Sequence, residues 1–136
     1  MKKILLLLMA IFLVGCSSSD DSDSKNQSLI NPPNWIIGTW LLEEPNPRSG
    51  YRFSSDDFCL VLFTTENCFK ESIRLSKSSG AVADVEETNT DNNYSIKITL
   101  ASQVITYEFN MLSATQIEWV NDPLGSMTQT IYVKQE

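Results

Sequence analysis

The chain has 136 residues and a formal charge of −7, with 10 Lys and Arg against 17 Asp and Glu and no histidine. That length suits one ordinary domain plus a tether and is too short for two cores. The scattered basic residues exclude nucleic acid as a natural partner, since phosphate binding draws on clustered Lys and Arg, and the missing histidine removes the commonest general base and metal ligand together.

Residues 1–15, MKKILLLLMAIFLVG, place Lys2 and Lys3 ahead of an apolar run from Ile4 to Val14. This is the charged-then-apolar order of a secretory signal. The run is too short for a membrane span of about 20 residues. It ends in Leu13-Val14-Gly15-Cys16, which resembles the lipobox of bacterial lipoproteins. The resemblance implies cleavage before Cys16 and a diacylglycerol on its thiol, and hence a membrane partner through that lipid. It places the chain in the cell envelope, most naturally at the outer membrane. Residues 16–34 read as a flexible acidic tether, because SSSDDSDSKNQS offers too little apolar surface to offset its ordering entropy. Acids just behind the lipidated cysteine also resemble the surface-export signal of some Gram-negative lipoproteins, although a solvated spacer has the same composition.

Asn31-Pro32-Pro33-Asn34 marks a turn-rich boundary, so the domain is expected over residues 35–136. Residues 35–42 and 58–63 are short apolar runs that suit strands buried on both faces. Residues 69–75 and 81–87 are weaker strand candidates around Lys77-Ser78-Ser79-Gly80, and no amphipathic helix is expected after the signal. Residues 94–100 and 105–111 alternate apolar and polar without error and read as a hairpin. Ile117-Glu118-Trp119 continues the alternation, Asn121-Asp122-Pro123-Leu124-Gly125 supplies turn chemistry, and a last strand falls near residues 127–134. The rhythm is all-β: seven or eight short strands in an antiparallel up-and-down barrel, with a β-sandwich as the alternative.

Trp35-Ile36-Ile37-Gly38-Thr39-Trp40-Leu41-Leu42, followed by Tyr51-Arg52-Phe53-Ser54-Ser55-Asp56-Asp57, resembles the opening of lipocalins and of shorter lipocalin-like lipoproteins. The resemblance implies that Gly38 and Trp40 open strand one and that the indole plugs one end of the barrel. Classical lipocalins set an arginine against that indole from the closing region. Here no arginine follows Arg74, and Lys134 is the nearest cation.

Cys59 and Cys68 are the candidates for a disulfide in an exported domain. A hairpin with a four-residue turn at 64–67 would leave them about 13 Å apart at roughly 3.3 Å per residue, far beyond the about 4.4 to 6.8 Å a disulfide spans. Only another register or an irregular turn pairs them; otherwise they are two buried thiols. Asp56-Asp57, Asp84 to Glu87 and Asp91 match no calcium loop and read as solvated charge. Serine without histidine, and without a Gly-x-Ser-x-Gly elbow, supports no nucleophile. No catalytic residue, metal site or cofactor is expected. Trp40, Tyr94, Tyr107, Phe109 and Trp119 fall on apolar strand faces, and they either fill the barrel or line a small cavity. Two functions follow: a non-enzymatic lipocalin-like module holding a small apolar ligand, or an interaction protein with a filled core that meets a protein or glycan through loops at residues 45–50 and 86–93.

Overall fold

The computed structural model describes residues 29–43, 48–125 and 129–136. Its strands are β1 (Gly38–Leu42), β2 (Ser49–Phe53), β3 (Phe58–Leu62), β4 (Thr65–Cys68), β5 (Ala83–Asn89), β6 (Asn93–Leu100), β7 (Gln103–Ser113), β8 (Gln116–Trp119) and β9 (Thr130–Lys134), with one helix, α1 (Phe69–Ser78), between β4 and β5. All pair antiparallel in one continuous sheet, in the order β4-β3-β2-β1-β9-β8-β7-β6-β5. The sheet curls into a half-barrel. The expected antiparallel up-and-down architecture is therefore present, with nine strands, and the two-sheet sandwich is not. Its edges are β4 and β5, and α1 connects them, packing on β3, β5 and β6.

The alternation in the sequence becomes the two faces of the sheet. In β6, Tyr94, Ile96 and Ile98 are buried while Ser95, Lys97 and Thr99 are not, as a period of two requires. The partners follow in register: Tyr94 lies opposite Phe109, Ile96 opposite Tyr107 and Ile98 opposite Ile105. The hairpin turn is Ala101-Ser102, shorter than the expected break, with Ala101 at φ 54°.

Three expectations are corrected. Residues 69–75 are helical, where no amphipathic helix is expected. Only Phe69 and Ile73, four apart, are buried on α1, and a face of two residues leaves little periodic signal. The β3–β4 turn is Phe63-Thr64, because Leu62 pairs with Thr65; Thr65–Cys68 is strand, not loop. Residues 86–93 are no long loop either: β5 runs to Asn89, and Thr90 donates its amide to the Asn93 carbonyl at 2.8 Å across a tight turn.

The packed domain also begins upstream of Trp35. Ile30 and Ile36 are fully buried. The Asn31 amide donates to both Glu87 carboxylate oxygens at 3.0 Å, and Trp35 Nε1 donates to the Thr90 carbonyl at 3.2 Å. Residues 30–36 thus cross from β1 to the β5–β6 hairpin over one end of the half-barrel. The opposite end carries the β3–β4 turn, the β6–β7 turn and the β8–β9 connection.

Candidate functional site

The end beneath residues 30–36 is built around Trp40. Its ring is fully buried, and Nε1 donates to the Ile36 carbonyl at 2.6 Å. Trp40 pairs with Tyr51 on one side and Lys134 on the other. Lys134 Nζ stands 5.1 Å from the Trp40 ring centroid, within reach of a cation–π attraction. Gly38 makes this possible: at φ 139°, a Cβ there would lie 2.7 Å from Lys134 Cε. Gly38, Trp40 and Lys134 therefore form one unit at this end of the sheet.

Inside the sheet, aromatic rings touch one another continuously. Tyr51 sits against Phe53, Phe58, Tyr107, Phe109, Trp119 and Tyr132 at centroid separations of 4.9 to 6.5 Å. Such spacings are those of rings in direct contact, so side chains occupy the axis. Of the rings picked out from sequence, Trp40, Tyr94, Tyr107 and Phe109 are buried and Trp119 packs half-buried against them. Phe58, in a run expected to be buried, belongs to the same cluster, and so do Tyr51, Phe53, Phe69 and Tyr132, which the sequence pattern does not single out. The signal was there in Tyr51-Arg52-Phe53, an alternating triplet too short to read as a strand.

The polar tips of these rings are paired or raised in pKa. Tyr94 Oη donates to Glu87 Oε1 at 2.5 Å, tying β6 to the carboxylate that also holds Asn31. Burial, then the neighbouring Tyr132, holds the Tyr51 phenol well above its ordinary value; burial and then Glu87 do so for Tyr94, and burial alone for Tyr107. Burial pushes Tyr132 up to about 12. These are all four tyrosines of the chain. A phenol that is harder to ionise folded than unfolded contributes stability that is whole below the unfolded value of about 10 and lost as pH rises toward the folded value. Phenolate absorbance is therefore expected to appear together with loss of far-ultraviolet dichroism above about pH 10. Phenolates that form near that pH with the dichroism intact would contradict it.

The third cluster lies on the opposite face of β2, β3 and β4. Cys59 and Cys68 are directly opposite in register and form a disulfide, with Cα atoms 4.0 Å apart. The two-residue turn supplies the alternative register, and the separation of about 13 Å expected of a four-residue turn at roughly 3.3 Å per residue does not arise. Arg52 pairs with Cys59 across β2 and β3, and its Nη2 lies 3.4 Å from Cys59 Sγ and 3.6 Å from Cys68 Sγ. The same nitrogen bonds Glu66 Oε2 at 2.5 Å, and this carboxylate raises the guanidinium pKa further. Asp57 Oδ1 accepts from the Phe58 and Lys70 amides at 2.8 and 2.9 Å, capping α1 from outside the helix. The Asp57 carboxylate converges with both sulfurs to within 4.8 Å. The sulfurs are spent on each other, which leaves one carboxylate already engaged by two amides. That donor set does not suit a metal ion.

Two further acids pair with lysines. Asp56 pairs with Lys70, which holds the carboxyl below and the ammonium above their usual ranges; Lys97 Nζ meets Glu86 at 2.7 Å. Cys16 and the lipobox lie outside the described residues, as do most of the tether and residues 44–47. No family model, curated protein or solved structure matches this chain.

Proposed function

We propose that this chain is a lipid-anchored envelope protein whose half-barrel is a non-enzymatic interaction module, meeting a protein or glycan partner rather than carrying a small apolar ligand. The observation that supports it is Tyr51, a buried ring in contact with rings from β2, β3, β7, β8 and β9 at the place where a carrier needs a hollow. The end opposite residues 30–36 exposes Phe63 at 63% and Leu124 at 84%. Residues 30–36, through which the preceding chain enters the domain, lie at the other end, so this apolar rim suits a partner.

Two measurements test the reading. The purified, oxidised domain should displace no apolar dye and carry no ligand in native mass spectrometry; stoichiometric uptake of either would restore the carrier. Cys16→Ala should abolish labelling by a palmitate analogue and leave an unprocessed precursor. Undiminished labelling would remove the lipid anchor from the proposal.

A further inference from the structure

We propose that the Cys59–Cys68 bond is a reducible latch, which holds the β4–α1 strap across the seam between the two sheet edges and is released by a dithiol reductant. The first ground is what else holds the strap. Thr65, Glu66 and Asn67 of β4 are all exposed, so no apolar side chain of those three residues anchors the strand. Besides its ladder with β3, β4 has the disulfide, the Arg52–Glu66 pair and the Thr65 hydroxyl, which donates to the Leu62 carbonyl at 3.0 Å. Immediately beyond Cys68, Phe69 stacks on Phe58 at 5.3 Å and meets the edge of Tyr107 at 6.2 Å. The strap therefore covers an aromatic flank that would otherwise face the seam.

The second ground is the asymmetry of the two sulfurs. Cys59 is fully buried while Cys68 is only half-buried at the start of α1. An incoming thiolate reaches Cys68 Sγ, forms a mixed disulfide there, and expels Cys59 as thiolate. The Arg52 guanidinium lies 3.4 Å from the leaving sulfur, and a stabilised leaving thiolate departs faster. The reductant's second thiol then attacks its own sulfur in the mixed disulfide and frees Cys68. Two electrons and two protons pass to the protein, and the reductant leaves as a disulfide. The charges that face the sulfurs are Arg52, Glu66 and Asp57, with the Asp56–Lys70 pair beyond; Asp57 opposes a second negative charge, but its Oδ1 is held by the amides of Phe58 and Lys70.

Hydrogen exchange on the full chain, before and after dithiothreitol, tests the latch. Reduction should speed exchange across residues 65–78 by about tenfold or more while β6 and β7 keep their protection. Unchanged exchange at 65–78 overturns the proposal. So does equal acceleration in β6 and β7, which would make the bond a staple of the whole domain. A monothiol should be captured on Cys68, and capture on Cys59 would overturn the order of attack. Arg52→Gln should slow reduction several-fold; an equal or faster rate would remove the guanidinium from the step.

Discussion

Trp40→Ala is expected to bring the domain to the edge of unfolding. The ring is fully buried, bonded to the Ile36 carbonyl at 2.6 Å and covered by Lys134. Truncating such a ring costs about 3 to 5 kcal/mol, against a total stability of roughly 5 to 15 kcal/mol for a small domain. The loss has three parts: the vacated space, the unpaired Ile36 carbonyl, and the Lys134 stem left without the face it lies on. Trp35→Ala should cost far less. That ring is half-buried and gives one bond to the Thr90 carbonyl at 3.2 Å. Urea denaturation of the two variants decides it, and a smaller loss for Trp40→Ala than for Trp35→Ala would mean that Trp40 does not plug this end. Trp40→Phe should fall between them, since it keeps a ring and loses the bond to Ile36.

The same residues show what the sequence revealed and what it hid. β6 and the second half of β7 were legible because one face is buried and the other solvated, so hydrophobicity itself carries the period of two. Gly38 and Trp40 were visible as residues of the first strand, and their geometry gives a physical reason for each: a Cβ at Gly38 would meet Lys134, and the Trp40 indole is buried and bonded to Ile36. The β3–β4 turn was hidden because Phe63 adopts φ 57° without the Asn, Asp or Gly that usually marks such a turn. What lies downstream was hidden with it: residues 64–67 read as a turn rather than a strand, the pairing of Cys59 with Cys68 stays open, and residues 69–75 read as a weak strand candidate rather than a helix. Ile30 was hidden for a different reason. Leu29-Ile30 is an apolar pair without a period, and distant groups hold the segment that follows: Glu87 takes the Asn31 amide and the Thr90 carbonyl takes Trp35 Nε1. The filled interior was half legible. Rings on the late strands could be counted, but Tyr51 is at the centre because β1 and β3 flank β2, a consequence of sheet order that no local pattern encodes.

Gly50→Ala should be the most damaging glycine-to-alanine change among the described residues. Gly50 lies in β2 opposite Leu41 of β1 and Val61 of β3. A Cβ there would fall 1.9 Å from the Trp40 carbonyl oxygen and 2.9 Å from Leu41 Cα. Both obstacles are backbone, so no rotamer change relieves the overlap and β1 must move away from β2. Adding a methylene to a packed core typically costs about 1 to 3 kcal/mol when side chains can shift, so a cost of about 3 kcal/mol or more is expected where only the main chain can yield. Moving β1 also shifts Trp40, so near-ultraviolet dichroism should weaken before urea is added. Gly80→Ala is the control. Gly80 has φ 78° and open space around it, so alanine there carries only a left-handed backbone penalty of roughly 1 to 2 kcal/mol. Equal urea midpoints for the two variants would mean that β1 and β2 do not approach as closely as the Gly50 geometry requires. A larger loss at Gly50, with the near-ultraviolet signal lost in parallel, would tie the stability of the closed end to a contact between two backbones that only glycine permits.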